Sequence, residues 1–176
     1  MTVIKDCVHR YFLSFVVEIE PETVEPINQS VGIDLGLKTF AVLSNGEKFD
    51  IPDYAKPDRK ISKLQRKLAR QEKRANRRNK TRVKIAKLHN KIADTRKDFL
   101  HKLSTKVVNE NQVITLENLN VSGMVKHKSL ARAISLQGWC EFRLLCEAKS
   151  EKFGRTFKTV KRPTYQGLPI MLKAAQ

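Results

Sequence analysis

Two runs of β-forming residues, each climbing to a single carboxylate, constrain this chain more than any other feature. Val31-Gly32-Ile33-Asp34-Leu35 reaches an aspartate, and Gln112-Val113-Ile114-Thr115-Leu116-Glu117 reaches a glutamate in the same way. Short apolar, β-branched runs are strands. A charge is expensive to bury in one, so Asp34 stands either at an exposed strand end, capping a turn, or where it binds a cation. Thr39 to Ser44 and Glu47 to Phe49 read as the next strands. Asn45-Gly46 between them is a hairpin signal of the type in which both turn residues take positive φ. A long helical segment separates the two acid-tipped strands, as a parallel crossover requires. If these strands are neighbours, Asp34 and Glu117 converge at one sheet edge. Converging carboxylates call for a cation, and their hard oxygens suit Mg²⁺ or Mn²⁺, the ions of two-metal phosphodiester chemistry.

The intervening segment carries the second constraint. Ile61, Leu64 and Leu68, then Ile85, Leu88 and Ile92, recur at three-and-four spacing, and Phe99, Leu103 and Val107 continue the stripe. That spacing predicts two amphipathic helices over 57–109, turning near Asn76-Arg77-Arg78-Asn79. Between Lys56 and Lys106 there are 20 Lys and Arg against 4 Asp and Glu, nearly all of the excess in a chain of formal charge +17. A charge run is ordinarily a solvated face. One that is almost single-signed repels itself unless an anion lies against it. Lys63, Arg66, Lys67, Arg70, Lys73, Arg74, Arg77, Arg78, Lys80 and Arg82 are therefore the candidates for gripping a phosphate backbone. No aromatic residue lies between Asp58 and Asp98, so the grip is expected to act by charge without base stacking.

The remaining segments are read more briefly. Residues 8–20 are expected to be a strand, with Tyr11, Leu13, Phe15 and Val17 on one face and possible partners missing. Residues 21–30 read as a linker, and Pro52 and Pro57 mark a loop. Val121 to Ser129 is expected to be a loop. Ser135 is the expected N-cap of a helix that runs to Phe153, turns Trp139, Phe142, Leu145 and Cys146 inward, and stops at Gly154. Thr156 to Val160 reads as a last strand. Cys7, Cys140 and Cys146 form no CxxC pair, and no motif surrounds any of the four histidines. The apolar run from Tyr11 to Val17 is too short to span a bilayer, so no membrane partner and a cytoplasmic place are expected.

Gly-Ile-Asp-Leu-Gly-Leu-Lys at 32–38, Glu-Asn-Leu-Asn-Val-Ser-Gly-Met at 117–124 and Leu-Ala-Arg-Ala-Ile-Ser-x-x-Gly-Trp-x-Glu-Phe at 130–142 follow one another in order. Together they resemble the TnpB/OrfB proteins of insertion sequences, RNA-guided DNA endonucleases related to the type V CRISPR nucleases, over residues 8 to 160. The resemblance implies an α/β fold: an RNase H-like (RuvC-type) mixed sheet with a long basic helical hairpin inserted at 57–109. It implies that Asp34 and Glu117 are the first and second catalytic, metal-binding carboxylates, with Mg²⁺ or Mn²⁺ as cofactor. Guide RNA and target DNA are the implied partners, in the prokaryotic cytosol. It divides the chain into a remnant of a preceding β-barrel domain (1–29), the nuclease core (30–160) and a disordered tail unlike the family (161–176).

The family pattern continues with a zinc-binding pair of CxxC motifs and a third acidic ligand. This sequence has no cysteine beyond Cys146 and no carboxylate beyond Glu151. No zinc site is therefore expected in this chain. The expectation is a fold incomplete at its C-terminus: a truncated nuclease that binds nucleic acid and cuts poorly. The alternative is a non-catalytic guide-RNA or DNA-binding protein derived from such an enzyme.

Overall fold

A computed structural model describes residues 1–18 and 24–161. Part of the expected linker and nearly all of the expected tail lie outside the described residues. The main sheet has five strands in the order β5-β4-β3-β6-β7, where β3 is Ser30–Leu35, β4 Ala41–Leu43, β5 Lys48–Phe49, β6 Val113–Asn118 and β7 Thr156–Lys161. Strands β3, β6 and β7 run parallel, while β4 and β5 fold back antiparallel, so the sheet is mixed.

Alternation decides which face is covered. Val31, Ile33 and Leu35 of β3 are buried, as are Ile114 and Leu116 of β6 and Ala41 and Leu43 of β4. The residues between them, Gly32 and Asp34, Thr115 and Glu117, point to the opposite face by the period-two rule. Helix α1 spans Ala55–Ala69 and α2 Asn76–Glu110; short α3 (Val121–Met124) and α4 (Ala131–Gln137) precede α5 (Trp139–Lys152). Leu100, Leu103, Val107 and Val108 of α2 and Trp139, Phe142 and Cys146 of α5 join the buried strand residues in one core. Phe40 stacks edge-on between Phe99 and Phe142, with centroids 5.3 and 5.4 Å away. Such pairs contribute about 0.5–1.5 kcal/mol each beyond their burial. The strand starts are pinned by buried Arg155, whose Nη1 donates to the Glu25 carbonyl (2.9 Å) and Gln112 Oε1 (2.7 Å).

Several expectations need correction. The helical hairpin turns at 70–75, and Asn76 to Asn79 already belong to α2. Pro57 lies inside the first turn of α1, where its missing N–H would have had no partner anyway. The expected helix from Ser135 is broken in two: Ser135 lies within α4, and Gly138 at φ 75° redirects the chain into α5. Val121–Met124 is one short helical turn rather than loop. In the β4–β5 hairpin only Gly46 takes positive φ (90°); Asn45 does not. Gly46 N–H donates to the Leu43 carbonyl and Leu43 N–H to that of Glu47, so the connection is one residue longer than a two-residue turn. At the N-terminus the strand is only Tyr11–Ser14 (β2), and it has a partner, antiparallel β1 (Thr2–Lys5). Both faces of this pair are exposed. Arg10 fixes it to α2 through Asp94 (2.6 Å), and Asp6 accepts from Asn90 (3.0 Å).

Candidate functional site

The register of the central strands sets the first site. In the parallel β3–β6 ladder, Val31 pairs with Ile114, Gly32 with Thr115 and Ile33 with Leu116. Asp34 and Glu117 each stand one residue further along. Adjacent strands lie about 4.8 Å apart, so the two acids are lateral neighbours on the same side of the sheet. Asp34 is exposed and Glu117 half-buried. Both line one open hollow of ≈ 480 Å³ on the face opposite the core, with Gly32, Val42, Ser44 and Thr115 as floor and walls. Val160 of β7, opposite Glu117 in register, closes the far side.

The chemistry of this hollow follows from its donors. Two carboxylates side by side repel, and a divalent cation relieves that repulsion while using their hard oxygens. Asp34 and Glu117 thus fit Mg²⁺ or Mn²⁺. Among the described residues, no group of three or more His, Cys, Asp and Glu side chains comes together.

The second site is the α1–α2 hairpin. It holds together through a thin seam of Tyr54, Ile61 and Ile92, with Ile85 and Leu88 against it. Thr81 is buried at the far end of the seam and donates to the Arg77 carbonyl (3.0 Å). Everything else is charge. From Arg59 to Lys91 there are 15 Lys and Arg and one acid, Glu72. Lys63, Arg66, Lys67, Arg70, Lys73, Arg74, Arg77, Lys80 and Arg82 are all exposed. None of them forms an ion pair with a described residue, whereas Arg96, Lys102 and Lys106, further along α2, pair with Glu141, Asp98 and Glu47. Arg78 differs from the other nine. It is half-buried, and its Nη1 donates to the carbonyls of Leu68 (2.6 Å) and Gln71 (3.1 Å), closing the C-terminal end of α1. Lys84, Lys87 and Lys91 are also exposed and continue the face of Arg77 and Lys80 at three-and-four spacing. That spacing is present in the sequence, but the candidate set above stops at Arg82.

Other groups have structural tasks. Lys149 donates to the His101 carbonyl, Ser104 Oγ and Thr105 Oγ1 (2.6–2.8 Å), tying α5 to α2, and burial lowers its pKa. The three cysteines are free thiols. Among the described residues, no helix is long and apolar enough to cross a membrane.

Comparison with known proteins adds independent weight. The family OrfB_IS605, described as probable transposase, matches residues 14–128. A protein of Streptomyces pristinaespiralis named "Putative RNA-guided DNA endonuclease" is 39% identical over 163 residues, covering 92% of this chain and 40% of the relative. The "Putative RNA-guided DNA endonuclease InsQ" of Escherichia coli (strain K12) is 36% identical over 160 residues, covering 81% of this chain and 40% of the relative. The chain thus spans about 40% of the length of these curated relatives. The family match takes in β3 with Asp34, the basic hairpin, and β6 with Glu117. On these grounds the chain belongs to the OrfB_IS605 family of transposon-encoded proteins, the TnpB/OrfB group.

Proposed function

We propose that the Asp34–Glu117 hollow is the catalytic end of an RNase H-like, RuvC-type nuclease core, and that the α1–α2 hairpin holds the nucleic acid on which it acts. The single observation that carries this reading is the shared register: two strand-end acids, one step beyond the Ile33–Leu116 pair, opening into one hollow. Bound Mg²⁺ or Mn²⁺ would supply an activated water and stabilise the leaving oxygen of a phosphodiester. The protein's part is to hold two oxygen ligands on rigid neighbouring strands, which fixes the direction from which a phosphate can approach. The hairpin's exposed Lys and Arg would neutralise backbone phosphates, contacts that position a nucleic acid and carry no sequence information directly, which leaves sequence choice to a guide in this reading. Guide RNA and target DNA are accordingly the proposed partners, as the names of the two relatives suggest.

A second reading, binding without efficient cutting, is favoured by the count of ligands. Among the described residues the hollow is lined by these two carboxylates alone, which would hold one ion and leave a second without an acidic anchor there; a misplacement of about 1 Å can cost a hundredfold in rate. The deciding experiment incubates the purified chain with DNA and Mg²⁺ or Mn²⁺, beside Asp34→Ala and Glu117→Ala. We expect salt-sensitive binding and very slow cleavage that both substitutions abolish. Robust Asp34-dependent cleavage removes the second reading. Cleavage insensitive to both substitutions overturns the site, and absence of nucleic-acid binding overturns both readings.

A further inference from the structure

Helices α2 and α5 pack on one face of the main sheet, and the hollow lies on the other. Cross-strand pairing fixes which side chains share that second face. Lys48 pairs with Val42 and Val42 with Asp34, while Glu117 pairs with Val160. Residues directly opposite in a ladder project to the same side. One row therefore crosses the whole sheet: Lys48, Val42, Asp34, Glu117, Val160. In the row two residues earlier, Gly32 stands beside Thr115 and Thr115 beside Lys158. Phe49 and Phe157, neighbours of the two lysines in sequence, pack against the core, as period-two alternation requires.

Among the described strand residues, the charged side chains of this face are thus Asp34 and Glu117 at its centre, with Lys48 and Lys158 on the two edge strands. Both lysines are exposed, and neither forms an ion pair with a described residue. With strands about 4.8 Å apart, the Lys48 backbone stands about 10 Å from that of Asp34 and about 20 Å from that of Lys158. The floor between them is Val42, Gly32 and Thr115, which offer a phosphate no charge. Two bare carboxylates repel a phosphate strand, and a divalent cation on them reverses the sign at the centre. The order across the sheet is then lysine, metal-bound acids, lysine. That order matches a run of phosphates whose middle member faces the ion.

We propose that Lys48 and Lys158 are positioning residues that draw a single nucleic-acid strand across this face, over Asp34 and Glu117, independently of the α1–α2 hairpin. Each is a point charge on a flexible stem, so the pair sets the direction of the strand and reads no bases. The role rests on the proposed function above, because without a cation on the acids this face has no net attraction for phosphate.

The test reads each lysine separately. The whole chain is treated with an amine-acylating reagent, with and without a single-stranded oligodeoxynucleotide, and the label on each lysine is measured by mass spectrometry. In Mg²⁺ the oligonucleotide is expected to shield Lys48 and Lys158, and in EDTA to leave both labelled. Lys63, Lys67 and Lys80 of the hairpin should be shielded in both conditions. A shielded hairpin with Lys48 and Lys158 still labelled in Mg²⁺ overturns the proposal and leaves the hairpin's role standing. Shielding of only one of the two, or shielding that persists in EDTA, also overturns it. Shielding nowhere overturns the proposed function along with it. Affinity for the same oligonucleotide is then measured against salt at fixed Mg²⁺. Replacing both residues, Lys48→Gln with Lys158→Gln, should make the slope of log affinity against log salt shallower by about 1.4, at about 0.7 per phosphate of a single strand. Lys48→Arg with Lys158→Arg should keep the original slope. A slope unchanged by the glutamine pair overturns the proposal.

Discussion

The two halves of α2 belong to one continuous helix about 50 Å long and are held in opposite ways. From Phe99 to Val108 the helix lies in the main core, with Leu100 and Val108 fully buried, and its cations have carboxylate partners, Lys102 with Asp98 and Lys106 with Glu47. From Asn76 to Ile92 it is held by a thin seam, chiefly against α1, and by the Asn90–Asp6 hydrogen bond, and its exposed cations have no carboxylate partner among the described residues. A charge with a partner is part of the fold. A row of cations without partners weakens the isolated protein by self-repulsion and persists where something anionic occupies it. The contrast separates the residues that build the sheet end from those available to a polyanion.

The largest effect expected from this contrast is on stability. Phe142→Ala, which removes one of the two edge-on partners of Phe40, should cost about 3–5 kcal/mol of global stability in urea unfolding. Ile61→Ala removes a side chain just as buried, yet from a seam of three buried residues. It should speed hydrogen exchange of amides 76–92 and leave those of 99–108 tied to global unfolding. Equal acceleration of both halves by Ile61→Ala would break the comparison.

Next in size is the protection of a buried thiol. Burial pushes the Cys146 thiol up to about 12 from an ordinary 9.0. Between these values the unfolded chain alone gives up its proton, so stability should fall as pH rises through that window and be unaffected by this group below it. In native protein at neutral pH, a thiol reagent should label exposed Cys7 and Cys140 and reach Cys146 only on unfolding. Rapid labelling of all three would mean that the core half is as loose as the hairpin.

The smallest effect separates two adjacent arginines. Arg77→Ala should lower the slope of log affinity against log salt by about 1 and leave the fold intact. Arg78→Ala should leave that slope nearly unchanged and loosen the turn at 70–75, since its guanidinium bonds the carbonyls of Leu68 and Gln71. Equal slopes for the two variants would show that Arg78 leaves the turn to grip phosphate.

These pairs also show what could be read in advance. That Asp34 and Glu117 lie on neighbouring strands was legible because each closes a β-branched run and the intervening segment is long enough for a parallel crossover. The mixed character of the sheet followed from the same runs. The hairpin's turn was misplaced because Asn76-Arg77-Arg78-Asn79 looks like a polar break. The helix continues through it because Thr81 and Arg78 extend the seam of Ile85 with polar atoms that periodicity does not count. The break at Gly138 was hidden because Ile134 and Phe142 on either side keep helical spacing. Strand β1 was invisible: Thr2 to Lys5 buries neither face, and the Arg10–Asp94 pair that anchors its hairpin spans 84 positions.

The proposed function divides the labour, with metal at the sheet end and polyanion on the hairpin. Its most direct test measures both ligands on two variants: Asp34→Ala, and the charge reversal of Arg66, Arg70, Arg74 and Arg77 together. Mn²⁺ binding is followed by paramagnetic resonance, and affinity for RNA and DNA is followed from 50 to 200 mM salt. The starting protein should lose about a thousandfold in nucleic-acid affinity over that range if about six phosphates are covered. Asp34→Ala should abolish Mn²⁺ binding and keep nucleic-acid affinity within about twofold, whereas the reversal should remove most nucleic-acid binding and keep the metal. Nucleic-acid binding that survives the reversal, or Mn²⁺ binding that survives Asp34→Ala, would contradict the account.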